Sequence, residues 1–180
     1  MASRPIRNYE DLYLFLSILK EKHSLYGDFA TVQFQWGLRF QTTQSLTVGD
    51  VRKCLRNGSV LLVENKTGKK RACGLNDKVK EIFLKYISDE REDLEVLWGR
   101  TIVRETYNLK LKEIGLMLGW DVAELTSHSL RKSFAYHLRT KFNVPVEKIS
   151  EQMNHASVRT TLIYAGLAED EKVAITQLGL

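Results

Sequence analysis

Ser59-Val60-Leu61-Leu62-Val63-Glu64-Asn65-Lys66-Thr67-Gly68-Lys69-Lys70-Arg71-Ala72-Cys73-Gly74-Leu75 stands apart in a chain that mostly repeats its apolar residues every three or four positions. Ser59–Glu64 is a short apolar run containing two valines, Asn65–Lys69 carries turn chemistry, and a second run returns at Arg71–Leu75. Short apolar runs joined by Asn and Gly read as paired strands. The stretch therefore predicts a β-hairpin with a basic tip, and Val48–Val51 offers a third strand.

Helical patterns flank the hairpin on both sides. Asn8, followed by Glu10 and Asp11, caps a helix that runs through Leu12, Phe15, Leu16 and Leu19. A second helix spans Phe29–Trp36 and stops at Gly37. Downstream, Asn76 caps a helix with Val79, Ile82, Phe83 and Ile87 on one face, and the acidic run Asp89–Asp93 is a loop. Further helices are predicted at Thr101–Met117, Ser129–Lys141, Val146–Met153, Val158–Tyr164 and Glu169–Gln177, punctuated by Gly119 and Pro145. The fold class is mainly α with a small antiparallel β-sheet (α+β).

The chain has 180 residues, a length that predicts one domain with its own core. Its 43% hydrophobic and 27% charged residues exclude wholesale disorder, and two prolines with eleven glycines exclude a collagen-like or linker-rich chain. Leu12–Leu19 is too short to span a bilayer, and Glu10 and Asp11 stand where a signal peptide would be basic. No membrane association and a cytoplasmic location are the expectations. Cys54 and Cys73 form no CxxC pair, so reduced, structural thiols are expected. Net charge is 27 − 22 = +5 and uneven. Between Arg52 and Arg71, seven basic residues face one acid, Glu64, whereas Asp89–Glu95 holds five acids against Arg91. Such an asymmetric stripe suggests a polyanionic partner.

Two further stretches carry candidate chemistry. In Ser127-His128-Ser129-Leu130-Arg131 the imidazole and guanidinium are neighbours at a helix start, where anions are already favoured. On its own a His-x-x-Arg pair reads as surface chemistry. Asn154-His155-Ala156-Ser157-Val158-Arg159-Thr160-Thr161-Leu162-Ile163-Tyr164 then sets a second histidine nine residues before a tyrosine that follows Thr-Thr.

Together these stretches resemble the tyrosine recombinase (phage integrase) family. Trp36-Gly37-Leu38-Arg39, with Leu46 and Asp50-Val51, resembles the family's first box, and the hairpin is similar to the one bearing its catalytic lysine. The resemblance covers most of the chain and implies six catalytic residues: Arg39, Lys66, His128, Arg131, His155 and Tyr164. Lys66 is preferred over Lys69 and Lys70 because it precedes Thr-Gly. The resemblance further implies that Tyr164 attacks double-stranded DNA to give a 3′-phosphotyrosyl intermediate and a free 5′ hydroxyl. No metal and no cofactor are implied, and four protomers would hold two duplexes as a homotetramer.

This chemistry suits the residue types. Two arginines of fixed charge can brace both non-bridging phosphate oxygens. A free tyrosine has a pKa of about 10, so neighbouring arginines and imidazoles are expected to favour its phenolate or take its proton. A lysine ammonium retains a proton that it can give to the leaving 5′ oxygen. Lys69, Lys70 and Arg71 are expected to bind DNA phosphates.

Two positions depart from the family pattern. Thr42 stands where a carboxylate usually follows the first arginine, leaving Arg39 less well braced. Asn154 replaces a glycine but tolerates the left-handed conformation. Residues 1–180 read as a catalytic domain without the amino-terminal DNA-binding domain that many members carry. Two other readings are a DNA-binding or assembly protein on a recombinase scaffold and a type IB topoisomerase; the six filled positions and the His155–Tyr164 spacing favour the recombinase.

The remaining candidates have structural readings. His23 and His137 are expected on helix surfaces, Tyr107 and Tyr136 as core tyrosines, and Leu130, Phe134 and Leu138 as core. His128, His137 and His155 lack a nearby Asp, Glu or Cys at metal-ligand spacing. The segment after Tyr164, with Val173, Ile175 and Leu178, packs on its own domain or on a neighbouring protomer.

Overall fold

A computed structural model describes residues 3–64 and 68–168. Local signals set most helix starts. Asn8 Oδ1 accepts from the Asp11 amide and opens α1 (Tyr9–Lys22), whose buried face is Leu12, Phe15, Leu16 and Leu19. After the single residue His23, α2 (Ser24–Trp36) begins five residues before its predicted start. Gly27, a poor helix former, hides that start in the sequence. The helix needs it there, because a Cβ at Gly27 would lie 2.2 Å from the Lys20 Cα of α1. At the other end Gly37 adopts φ 58°, closing α2 with amide bonds back to Phe34 and turning the chain toward Arg39.

Residues 48–51 are not a third strand. They open α4 (Val48–Asn57), which follows the short α3 (Phe40–Gln44). Thr47 Oγ1 accepts from the Asp50 amide while Asp50 Oδ2 accepts from the Thr47 amide, and this reciprocal cap outweighs the β preference of the valines. The hairpin itself is present. Strands β1 (Ser59–Val63) and β2 (Lys70–Gly74) pair antiparallel, Leu61 opposite Ala72 and Leu62 opposite Arg71. Alternation turns Val60 and Leu62 inward from β1, and Arg71 and Cys73 inward from β2.

The rest of the described chain is helical: α5 (Asp77–Tyr86, capped by Asn76), α6 (Arg104–Met117), α7 (Ser127–Thr140), α8 (Val146–Gln152) and α9 (Val158–Ala165). The helix predicted at residues 169–177 lies outside the described residues. The main core gathers α1, α2, α4, the hairpin, α5 and α6 around Phe15, Phe29, Phe83 and Tyr107, while Ala135, Ile149, Met153, Ala165 and Leu167 form a smaller core under α8 and α9. Tyr107 and Leu130 are fully buried, whereas Tyr136, Phe134 and Leu138 are partly buried. Cys54 and Cys73 are buried free thiols. Among the described residues no helix is long and apolar enough to cross a membrane.

Two histidines are not on open helix surfaces. His137 is buried, and its Nε2 donates to the Ile6 carbonyl at 2.9 Å. His23 sits at the α1–α2 joint, 3.0 Å from Glu113. Each finds a polar partner that is distant in sequence.

Gln33 fixes the start of α7 against the α2 corner. Its buried amide donates to the Leu38 and Ser127 carbonyls at 3.4 and 3.1 Å and accepts from the Tyr107 hydroxyl at 2.9 Å. Gln33→Leu keeps the volume but orphans these groups, so urea unfolding should show a destabilisation of about 2–4 kcal/mol, roughly one to two unsatisfied buried polar groups. A variant within about 0.5 kcal/mol of wild type, the usual range for an ordinary surface change, would show that this amide is not a structural tie.

Candidate active site

Arg39 stands at the N-cap of α3, directly after the corner that Gly37 makes possible. Thr126 caps α7 in a reciprocal box with Ser129, which places His128 in the first turn and Arg131 one turn further on. His155 follows Asn154, whose φ of 54° turns the chain from α8 toward α9. Ser157 caps α9, which carries Tyr164. Five of the six candidate catalytic residues are thereby placed on or beside the ends of α3, α7, α8 and α9. The sixth, Lys66, lies outside the described residues, between Glu64 and Gly68.

A residue not singled out from the sequence organises the arginines. Glu64, at the end of β1, is fully buried. It pairs with Arg39, and lies 3.4 Å from Arg131 Nη1 and 3.7 Å from Arg71 Nη1. Burial alone would push its carboxyl up, but Arg131, Arg39 and Arg71 together hold it below the ordinary carboxylate range. Thr42 is itself buried in α3, and the carboxylate that braces Arg39 comes from the hairpin instead. The sequence did hold a signal: Glu64 is the one acid in the basic stripe, and β alternation after Val60 and Leu62 turns position 64 inward.

Arg71 corrects the expected DNA-binding set. Strand alternation sends it to the buried face, where it donates to the Trp36 carbonyl and, at 3.2 Å, to the Gly37 carbonyl, with its guanidinium over the Phe134 ring. Lys69 and Lys70 do lie exposed on the hairpin. Arg131 is equally deep: it donates to the Gly37 and Met153 carbonyls at 2.7 and 2.8 Å. Burial, helped by Arg71 and Arg39 and opposed by Tyr164 and Glu64, brings its pKa down to about 10, so it stays charged at neutral pH.

The other titratable groups respond to this positive field. Burial first, then Arg131 and Arg39, lower the His155 pKa to about 4, so the ring is neutral at pH 7. Its Nδ1 sits 2.8 Å from Thr161 Oγ1. Desolvation, then Arg104, Arg131, Lys132 and Arg39, also lower His128. Tyr164 packs edge-on against His155, with ring centroids 5.1 Å apart, and its hydroxyl is buried without a well-formed hydrogen bond among the described residues. Burial raises its pKa and outweighs the opposing pull of Arg131 and Arg39. The neighbouring cations do favour the phenolate, as expected, but burial outweighs them. Among the described residues no group of three or more His, Cys, Asp or Glu is placed to hold a metal ion.

Chemically, three guanidiniums face one carboxylate, and a buried phenol sits beside a neutral imidazole. The surplus of positive charge favours an anion at the mouth of the cluster.

Comparison with known proteins bears on the family and the fold. The sequence profile of the phage integrase family matches residues 8–171. The tyrosine recombinase XerD of Oceanobacillus iheyensis is 32% identical over 139 residues, which is 71% of this chain and 45% of that protein. A Bacillus subtilis protein named "Probable integrase/recombinase YoeC" is 28% identical over 93% of this chain and 91% of its own length. The chain thus spans about half the length of XerD and nearly all of YoeC. In fold it is similar to the XerH site-specific recombinase bound to a palindromic difH substrate (TM-score 0.72, 22% identity, covering 100% of this chain and 54% of that one). It is similar as well to the catalytic domain of bacteriophage HP1 integrase (TM-score 0.65, 17% identity, 98% and 95% covered).

The arginine cluster yields a stability prediction. Glu64→Ala leaves buried cations uncompensated and should cost about 3–5 kcal/mol at pH 7, as for removal of one partner from a buried ion pair. A depressed carboxyl stabilises the fold fully above its ordinary pKa of 4.5, and that contribution fades as pH falls through the lower folded value. Chemical unfolding across this acid range should therefore show a shallower decline of stability in Glu64→Ala than in wild type. Parallel acid limbs in the two proteins would overturn the assignment.

Proposed function

The chain belongs to the phage integrase family, and on that premise we propose that it is a site-specific DNA strand transferase whose nucleophile is Tyr164. The observation that carries the reading is the Tyr164 hydroxyl, buried without a well-formed hydrogen bond among the described residues and interacting with Arg131, beside Arg39 and Arg71. An unsatisfied buried hydroxyl costs about 1–3 kcal/mol, and a phosphodiester oxygen would satisfy it. Double-stranded DNA is the proposed partner, since the similar XerH is named with its difH substrate.

In the proposed reaction, Arg39 and Arg131 hold the non-bridging oxygens of the scissile phosphate. Entry of that anion offsets the positive field, so the His155 pKa rises from about 4 and the ring becomes a better base. With Nδ1–H donating to Thr161 Oγ1, Nε2 keeps the lone pair that receives the phenolic proton. The Tyr164 oxygen bonds to phosphorus as the bond from phosphorus to the 5′ oxygen breaks. Lys66 gives its proton to that 5′ oxygen. A 5′ hydroxyl from a second strand then reverses the step, so the phosphodiester is conserved through the covalent intermediate. His128 lines the same face as Arg131 and donates to a phosphate oxygen. Exchange between two duplexes calls for a homotetramer on DNA.

A denaturing gel with nicked duplexes tests the nucleophile. Wild type should form a covalent protein–DNA adduct, and Tyr164→Phe should form none while still retarding DNA on a native gel. An adduct that survives in Tyr164→Phe would sink the assignment. Retardation without any adduct in wild type would point to the assembly-protein reading instead.

The exposed hairpin lysines yield a second prediction. Lys69→Ala with Lys70→Ala should weaken DNA binding evenly across sequences. It should also reduce the slope of log K against log salt by about 0.9 for each phosphate that a lysine no longer neutralises. An unchanged slope would remove Lys69 and Lys70 from the DNA interface.

A further inference from the structure

The helix that carries Tyr164 has little to hold it. α9 spans eight residues, and of these only Thr161 and Ala165 are fully buried. Helices this short are marginal on their own and depend on tertiary packing. Part of that support comes from residues 3–8, which form a strap without regular secondary structure before α1.

The strap is fastened along one side of α7. The Ile6 amide donates to Ser133 Oγ at 2.8 Å, and His137, one turn later, donates from Nε2 to the Ile6 carbonyl at 2.9 Å. Arg4 forms an ion pair with Glu124, just ahead of α7. Lys132 donates from Nζ to the Ser3 carbonyl at 2.6 Å.

From this anchored strap two routes lead to the nucleophile. Arg7 Nη2 donates to the Gly166 carbonyl at 3.0 Å, and its guanidinium lies 5.4 Å from the centre of the Tyr136 ring. Gly166, with φ 71°, is the C-cap of α9, two residues beyond Tyr164. Lys132, while bound to Ser3, also sets its ammonium 5.1 Å from the centre of the Tyr164 ring. The guanidinium therefore touches the end of the helix, and the ammonium lies against the ring.

We propose that Arg7 and Lys132 are positioning residues for Tyr164, and that the strap of residues 3–8 is a latch holding α9 against α7. Their role in strand transfer rests on the reading of Tyr164 as the nucleophile; the latch itself does not. A carbonyl held by a guanidinium stops the last turn of α9 from fraying. A cation over the ring limits its rotation without taking the hydroxyl away from the phosphate. Displacing the strap would release both restraints together, so the segment before α1 would set how long Tyr164 stays aligned.

Hydrogen exchange on the full chain, read by mass spectrometry on wild type, Arg7→Ala and Lys132→Met, tests the latch without any DNA. Amides of α9 should exchange at least about tenfold faster in each variant, as expected when a local restraint on helix opening is removed. Amides of α2 should be unchanged, which shows that the variant has folded. Unaltered α9 protection in both variants would overturn the proposal. In single-turnover cleavage of nicked duplexes, both variants should form the adduct roughly tenfold more slowly at saturating DNA, with Kd within about twofold, because alignment is impaired and binding is not. A change in Kd alone would overturn the positioning role. If exchange accelerates but wild type forms no adduct, the latch stands and the strand-transfer reading falls.

Discussion

A carboxylate removed from water stays charged only among cations, and guanidiniums share a buried site only around an anion. Glu64 with Arg39, Arg71 and Arg131 meets both demands at once. These four side chains come from the hairpin, the N-cap of α3 and the first turns of α7, so the pairing requires three elements to converge. The Gly37 carbonyl, exposed by the left-handed end of α2, accepts from both Arg71 and Arg131. A Cβ at Gly37 would lie 2.2 Å from the Phe134 ring, so the corner is also a packing constraint. Here the fold and the site are a single arrangement.

The cluster also decides the resting state of the other groups. Burial first, and then a field with more cations than anions, lowers the His155 pKa to about 4 and also lowers that of His128, while burial raises that of Tyr164. An arriving phosphate changes that field. In the proposed reaction the same anion that the arginines attract restores basicity to the imidazoles, so binding and activation are coupled through electrostatics. In the proposed mechanism this makes the resting enzyme a poor nucleophile until the backbone of its substrate is in place.

Much of the architecture was legible because its causes are local. Asn8 and Asn76 announced α1 and α5 through caps that involve neighbours in sequence. The hairpin was readable from its two apolar runs and its turn chemistry. Misreadings arose where a stronger demand overrode a local preference: residues 48–51 look like strand until the Thr47–Asp50 cap is seen, and Gly27 looks like an interruption until α1 is laid against it. His137 reads as a surface residue because its partner, the Ile6 carbonyl, is 131 positions away.

The candidate site divides along the same line. From the residues alone came the spacing of His128 with Arg131 and of His155 with Tyr164, since helical and capped geometry follows from nearby sequence. The family resemblance, not the residues alone, marked Thr42 as standing where a carboxylate is usual. The sequence did not reveal that Glu64 would brace Arg39, or that Arg71 would join the buried cluster instead of facing outward with Lys69 and Lys70. Those outcomes depend on which face of a strand meets which corner of a distant helix. Charge pairing in a buried site is set by proximity in space, and only the folded chain brings residues 39, 64, 71 and 131 within reach of one another.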